Sequence, residues 1–234
     1  SGFGLYAAGD HNTLINDGEV ITAAGFGFSN GLFAFGDFNT LTNNGDITIN
    51  GSEAAGLHVN GTNGTDGTGN VLINNGQITT IGDGARGLFS IGIANTLINN
   101  GDVLTMGDSS YGLYAFEFDN ILTNNGNVTT NGRNGHGIFG IGDGNSLSNT
   151  GNVTTTRRGA NGIYARGNAN TVSNDGVVVT SGRNGDGVFA RGDSNSLTNN
   201  GEIMTTGRSA RGLAARGNEN NLVNGGDITT TRVD

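Results

Sequence analysis

The 234-residue sequence contains no cysteine, no proline, no tryptophan and no lysine. The absence of cysteine excludes a disulfide scaffold and thiolate metal sites. No stretch approaches the roughly 18 consecutive apolar residues of a transmembrane helix. The absence of proline suits a chain whose strands all lie inside sheets and use their backbone N–H groups. In contrast, the 45 glycines and sparse hydrophobic residues are a composition typical of disorder, unless the apolar residues are placed regularly.

A repeat of about 25 residues supplies that regularity. The consensus of the units reads G-[LIV]-[FY]-A-x-G-D-x-N-[ST]-L-x-N-N-G-x-[IV]-T-T-x-G, followed by four variable residues, and the ninth unit is incomplete. The unit in third place is longer, and its segment from Asn60 to Asn70 is predicted to form a protruding flexible loop. The anchor glycines of the nine units are Gly4, Gly31, Gly56, Gly87, Gly112, Gly137, Gly162, Gly187 and Gly212.

Three columns of aliphatic residues predict the fold. Each lies in a short run of period two bounded by glycine or asparagine, which is typical of a strand. The columns begin at Leu5, Leu14 and Val20 and recur once in every unit. One unit cannot bury these faces alone, whereas stacked units can. We therefore expect an all-β, right-handed parallel β-helix of about nine coils with three short strands each, formed by residues 1–234 as a single domain. With strands ~4.8 Å apart, the rod is roughly 43 Å long.

Two columns of asparagine are the most uniform feature of the repeat. One begins at Asn12, and the other is followed two residues later by glycine. A ligand-binding array is one interpretation, but stacked amides that bond to each other and to turn backbone explain the pattern better. We also expect the threonine column that begins at Thr22 to point into the core. The predicted ladder is Asn16, Asn43, Asn74, Asn99, Asn124, Asn149, Asn174, Asn199 and Asn224.

Catalytic and metal-binding motifs are not found. His11, His58 and His136 occupy three different positions of the repeat, so they are not expected to line up as metal ligands. Aspartate recurs in the G-D-x-N turn of only four units, which leaves calcium binding as a weak alternative. We expect no catalytic site, no cofactor, no metal and no nucleic-acid partner. A polysaccharide lyase or hydrolase with paired carboxylates on neighbouring coils is the enzymatic alternative.

Charge changes sign along the rod. Residues 1–132 contain one arginine and twelve acidic residues, whereas residues 133–216 contain nine arginines and five acidic residues. The first arginine column is Arg133, Arg158, Arg183 and Arg208, and the second is Arg166, Arg191 and Arg216. Stacked like charges repel, so they need solvent, counter-charges or a ligand. A solvated face balanced by Asp186, Asp193 and Glu202 is one interpretation, and a ladder for an anionic polymer such as a sulfated glycan is the other.

An aromatic column lies beside the second arginine column. By alternation its side chains point away from the core; an exposed interface and a ladder tucked inside by a bend both stay open. Its members are Tyr6, Phe33, Phe89, Tyr114, Phe139, Tyr164 and Phe189.

The tripeptide Arg191-Gly192-Asp193 is a sequence that integrins read in host adhesion proteins. It falls in a turn that we expect to be exposed. The repeat supplies glycine and aspartate at this place anyway, as in Gly36-Asp37 and Gly142-Asp143. Both an integrin motif and a coincidence of the repeat therefore stay open.

The segment "GIYARGNANTVSNDGVVVTSG" (Gly162 to Gly182) resembles the repeats in the passenger domains of bacterial autotransporters, the type V secreted β-helices. The resemblance extends over all nine units and implies export through the periplasm, followed by display on the bacterial surface or release. It further implies that the chain is a piece of a longer passenger whose outer-membrane barrel is its only link to a membrane.

The resemblance is unspecific for function, because such passengers include adhesins, self-associating proteins, toxins, host-signalling ligands and proteases with an extra globular domain. We expect an adhesin or host-receptor ligand that binds a host cell-surface receptor or an anionic glycan through residues 133–216. The alternatives are the polysaccharide enzyme and a self-associating structural stalk.

Overall fold

The computed structural model describes residues 2–23, 29–61 and 67–231. Within these ranges the chain forms 27 strands in three sheets of nine and no helix. Each coil contributes one strand to each sheet, so coil 1 consists of β1 to β3 and coil 9 of β25 to β27. Part of the loop expected at Asn60 to Asn70 falls outside the described residues.

The first sheet carries the aromatic column on its outer face. Its strands are β1 (Leu5–Ala8), β4 (Leu32–Phe35), β7 (Ala55–Asn60), β10 (Arg86–Ile91), β13 (Tyr111–Phe116), β16 (Ile138–Ile141), β19 (Ile163–Arg166), β22 (Val188–Arg191) and β25 (Leu213–Arg216).

The second sheet contains the asparagine ladder at the ends of its strands. Its strands are β2 (Thr13–Asn16), β5 (Thr40–Asn43), β8 (Val71–Asn74), β11 (Thr96–Asn99), β14 (Ile121–Asn124), β17 (Ser146–Asn149), β20 (Thr171–Asn174), β23 (Ser196–Asn199) and β26 (Asn221–Asn224).

The third sheet completes each coil. Its strands are β3 (Glu19–Thr22), β6 (Asp46–Ile49), β9 (Gln77–Thr80), β12 (Asp102–Thr105), β15 (Asn127–Thr130), β18 (Asn152–Thr155), β21 (Val177–Thr180), β24 (Glu202–Thr205) and β27 (Asp227–Thr230).

The aliphatic columns form one continuous core. Successive strands pair in parallel with the same repeat position opposite, so that Leu97 lies beside Leu122 and Val103 beside Val128. All four side chains are at most 2% exposed. The predicted parallel β-helix of nine three-stranded coils is confirmed, while its handedness stays a prediction.

The asparagine columns inside the rod are linked by hydrogen bonds, as predicted, whereas the buried hydroxyls of Thr80, Thr105 and Thr205 have no partner. In the second asparagine column, the Asn124 amide donates to Asn149 Oδ1 at 2.8 Å and to the Gly126 carbonyl at 3.0 Å. In the first, the backbone N–H of each asparagine donates to the side-chain oxygen of the next coil. The threonine column points inward, and the Thr130 hydroxyl donates to the Gly135 carbonyl at 2.8 Å.

Glycine follows the second asparagine column because the turns of successive coils are in contact. A Cβ at position 126 would lie 2.1 Å from the Gly101 carbonyl oxygen, and the same approach recurs at Gly151. No side chain fits there without moving the backbone. The turn between the second and third sheets therefore stacks as tightly as the strands do.

Candidate functional site

The first arginine column lies in the turn between each third-sheet strand and the next first-sheet strand. Arg133, Arg158, Arg183 and Arg208 are all exposed, and backbone bonds hold their turns in register. In coils 4 and 5 the same turn position is occupied by Asp83 and Asp108, which are also exposed. The Asp108 N–H donates to Asp83 Oδ1, and the Arg133 N–H donates to Asp108 Oδ1, each at 2.8 Å. The column is therefore acidic in coils 4 and 5 and cationic from coil 6 onward.

The second arginine column lies at the ends of the last three first-sheet strands. Arg166 pairs in register with Arg191, which pairs with Arg216, and all three side chains are exposed. Towards the amino terminus the same position carries Ile141, Phe116 and Ile91. This outer position of the sheet thus changes from apolar to cationic between coils 6 and 7.

Neither arginine column has a counter-charge in contact. The two salt bridges present in residues 2–23, 29–61 and 67–231 are Arg86–Glu53 and Arg211–Asp186, and they involve no column member. Asp186, which is 4% exposed, binds the Arg211 guanidinium at 2.6 Å instead of balancing the columns. Glu202 lies in β24 on the third sheet, away from both columns. The seven column guanidiniums thus remain exposed and free of salt bridges.

Asp193 has a structural contact that the tripeptide alone does not reveal. Its Oδ1 accepts the backbone N–H of Asn218 at 2.7 Å, and its own N–H donates to Asn168 Oδ1 at 2.9 Å. Gly192 adopts a φ of +136°, which a residue with a side chain rarely adopts. Asp10, Asp37 and Asp143 make the same backbone contact as Asp193, so this turn uses aspartate as an acceptor rather than as part of a calcium site.

Replacing Asp193 by asparagine should leave stability unchanged. Asn168 occupies the same turn position one coil earlier and already accepts the equivalent N–H, so an amide oxygen can replace the carboxylate. We expect a melting temperature within about 1 °C of the parent and a polyanion affinity up to about threefold higher, since a negative charge beside Arg191 is lost. Thermal unfolding and glycan titration measure both. Loss of cell attachment by Asp193→Asn, with unchanged glycan affinity, would support the integrin interpretation instead.

The aromatic column forms a stacked ladder on the outer face of the first sheet. Phe89, Tyr114 and Phe139 stack at centroid distances of 5.1 and 5.2 Å with interplanar angles of 2° and 13°. Phe89 and Phe139 are only 8% and 5% exposed. Because the ring faces contact each other, they are not available to a ligand. The side chains point away from the core, as alternation predicts, and most of their ring surface is used in the stack.

His58 is a member of this ladder that the sequence analysis did not recognise. It lies in register between Phe33 and Phe89, at centroid distances of 4.7 and 4.6 Å. Its Nδ1 lies 3.1 Å from the Asn30 amide nitrogen, whereas its buried Nε2 has no partner. Burial, assisted by the charge of Arg86, lowers the pKa of His58 to about 3. This histidine is therefore neutral and part of the stack.

In four coils the residue before the anchor glycine contacts the ladder: Arg86, Tyr111, His136 and Arg211. The Arg86 guanidinium lies 4.8 Å from the Phe89 ring centroid, and that of Arg211 lies 5.0 Å from the Phe189 centroid. Tyr114 is itself a member of the ladder, and burial raises the pKa of its phenol to about 12. His136 covers the same edge, and burial lowers its pKa to about 3. The chain bends at the glycine, so alternation along the strand could not place these side chains.

A third asparagine ladder, this one exposed, was also missed. The side-chain amides of Asn75, Asn100 and Asn125 each donate to the oxygen of the preceding member at 2.8 Å. The doubled asparagine of the N-N-G segment is the signal that could have revealed it. Its amides hydrogen-bond to one another along the rod axis, so these exposed asparagines also have a structural role.

The remaining search for a reactive site yields little. No cluster of three or more histidine, cysteine, aspartate or glutamate side chains suited to a metal ion occurs in the part of the chain that the structure describes. A cavity of about 310 Å³ at the amino-terminal end is lined by seven residues, none of them ionisable. Among the described residues, no helix is long and apolar enough to cross a membrane. The arginine columns are therefore the best-supported binding surface.

Comparison of the chain with protein-family models, with curated proteins and with solved structures finds no match in any of the three. The class of the protein is defined by the structure itself, as a parallel β-solenoid of about nine coils.

Proposed function

We propose that this chain is a β-helix of the autotransporter passenger type, secreted or displayed by a bacterium, that binds host cells without catalysing a reaction. Its ligand on the host surface is an anionic polymer such as a sulfated glycan, and its binding surface is formed by the two arginine columns. The observation that carries the proposal is the set of seven exposed guanidiniums, aligned in register and without a salt bridge.

Electrostatics supports a polyanionic ligand. Stacked strands repeat every ~4.8 Å, so the guanidiniums of each column lie in a row of like charges that repel one another. An anionic polymer lying along the rod relieves that repulsion, and each guanidinium can bind a sulfate or carboxylate with two parallel hydrogen bonds. The core residues beneath coils 6 to 9 match those beneath coils 2 to 5, so folding does not require the change of charge.

The proposal is tested by replacing Arg166, Arg191 and Arg216 together with serine. These side chains are exposed and make no salt bridge, so we expect a nearly unchanged melting temperature. Affinity for a sulfated decasaccharide should fall at least tenfold, and parent affinity should fall severalfold between 50 and 150 mM salt because exposed charges are screened. Isothermal titration measures both effects.

Lysine at the same three positions is the matched control. It keeps the charge but loses the guanidinium fork, so this variant should retain most of the affinity. Equal decasaccharide affinities of the triple serine variant and the parent would contradict the proposal. Shortening of the decasaccharide during incubation with the parent would instead favour the lyase or hydrolase alternative.

A further inference from the structure

The charge at the turn position of the first arginine column changes sign halfway along the rod. The column is therefore complementary in charge to the same column of a copy that runs in the opposite direction. Exposed acids occupy this turn position in coils 4 and 5, at Asp83 and Asp108. Exposed arginines occupy it in coils 6 to 8, at Arg133, Arg158 and Arg183. The sign changes between coils 5 and 6, close to the middle of the nine coils. A second copy of this chain, turned end for end, presents an arginine opposite each acid.

We propose that two copies of this chain associate antiparallel, through the outer face of the first sheet and the turns that flank it. A two-fold axis between coils 5 and 6, perpendicular to the rod, defines the arrangement. It places Asp108 opposite Arg133 of the other copy and Asp83 opposite Arg158. Each pair occurs twice, because a two-fold interface uses the same patch on both copies.

A parallel arrangement of the same faces is disfavoured by charge. A two-fold axis along the rod exchanges the two edges of the sheet, so it would place the first arginine column of coils 7 to 9 against the second arginine column of the partner. Like charges brought together at an interface cost free energy and suppress the wrong orientation. The column therefore selects the antiparallel orientation.

Apolar side chains lie at the centre of the same face. Ile91, Phe116 and Ile141 follow each other in register in coils 4 to 6, and Phe116 is 38% exposed. The proposed axis brings Phe116 of coil 5 opposite Ile141 of coil 6 in the other copy. Beyond the strip the same outer position carries Arg166, which the axis places opposite Ile91, so the ion pairs lie along one edge of the face, at the turns. The stacked aromatic ladder lies on the same face, between the apolar strip and the charged turns.

The face is large enough for a stable dimer. The eight overlapping coils are ~38 Å long, and a four-residue strand with its flanking turns is ~20 Å wide, so each copy contributes ~750 Å². A standard protein interface uses about 800 Å² from each partner. Self-association goes beyond the proposed glycan binding, although both use the first arginine column, so a sulfated glycan should compete with the dimer.

The first test removes the acids without disturbing the turn. In Asp83→Asn with Asp108→Asn, the side-chain oxygens remain as acceptors for the backbone N–H groups of the next coil. Sedimentation at 50 mM salt without glycan should show the parent as a dimer of the 23.7 kDa chain, and the variant with a dissociation constant at least tenfold higher. The control is Glu19→Gln with Asp46→Asn, which changes net charge equally at exposed third-sheet positions and should dimerise like the parent.

The second test restores complementarity between two altered chains. One chain carries Asp83→Arg and Asp108→Arg, which the turn accommodates because later coils have arginine there. The other carries Arg133→Asp and Arg158→Asp. Neither should dimerise alone, whereas an equimolar mixture should form a heterodimer. Any one of three results would overturn the proposal. The parent could be monomeric at 50 mM salt, the asparagine variant could dimerise like the parent, or the mixture could stay monomeric. These results leave glycan binding by Arg166, Arg191 and Arg216 unaffected, so the two proposals fail separately.

Discussion

Asn124→Ala is expected to lower the free energy of unfolding by about 3–5 kcal/mol, because the ladder loses a member with neighbours on both sides. Asn124 is fully buried; its oxygen accepts from Asn99 at 2.8 Å, and its amide donates to Asn149 and to the Gly126 carbonyl. Alanine leaves the Asn99 amide and the Asn149 oxygen without these partners in the interior. Unsatisfied buried polar groups cost about 1–3 kcal/mol each.

The matched control lies at the end of the same ladder. Asn224 is exposed in coil 9; it accepts from Asn199 at 2.8 Å and donates to the Gly226 carbonyl at 2.8 Å. Water can replace these contacts, so Asn224→Ala should cost about 1 kcal/mol or less. Urea unfolding followed by circular dichroism compares the two variants. Equal losses would show that the interior ladder does not stabilise the rod through its hydrogen bonds.

His58→Phe is expected to protect the protein against acid. The unfolded chain binds a proton at a histidine pKa of about 6.5, whereas the folded chain does so only near pH 3. Between these values the unfolded state holds more protons, so stability is complete above about pH 6.5 and declines as pH falls towards 3. Arg86, paired with Glu53, is the charged group that faces the ring. At pH 4 the phenylalanine variant should be about 3 kcal/mol more stable than the parent.

At pH 7 the same substitution should be nearly neutral. Phenylalanine continues the stack between Phe33 and Phe89 and removes the unpartnered Nε2, while the Asn30 amide loses one contact. His136→Asn follows the same logic, because Asn161 occupies the equivalent position one coil later and its oxygen accepts the Asp186 N–H. Urea midpoints at pH 7 and pH 4 test both. Equal losses on acidification in parent and His58→Phe would contradict this role for burial.

The β-helix could be predicted from the sequence because the same short pattern of residues recurs in every coil. A column such as Leu97, Leu122 and Leu147 recurs at a fixed spacing, so one register buries every member, and a slip would expose all of them. The asparagine ladder was predictable for the same reason. Stacking of identical turns leaves one consistent set of partners for each amide.

The site was only partly predictable because orientation at the turns does not follow alternation. Arg86 turns back over the Phe89 ring after Gly87, and Asp186 pairs with Arg211 in the next coil, although only spacing relates them in the sequence. His58 belongs to the aromatic ladder because it is the second residue after Gly56, just as Phe33 is after Gly31. The three histidines share a residue type but no repeat position, and the repeat position is what places His58 in the ladder.

The most direct test of the account is an arginine footprint, in which phenylglyoxal modification is mapped by mass spectrometry with and without a sulfated decasaccharide. Exposed guanidiniums react fastest, so protection on ligand binding locates the contact. The account predicts protection of members of both columns, at Arg158, Arg183, Arg166, Arg191 and Arg216. Arg86, with a side chain only 15% exposed and paired with Glu53, should react slowly in both samples. Unchanged reactivity of the column arginines in the presence of saturating glycan would contradict the claim that these columns bind polyanions.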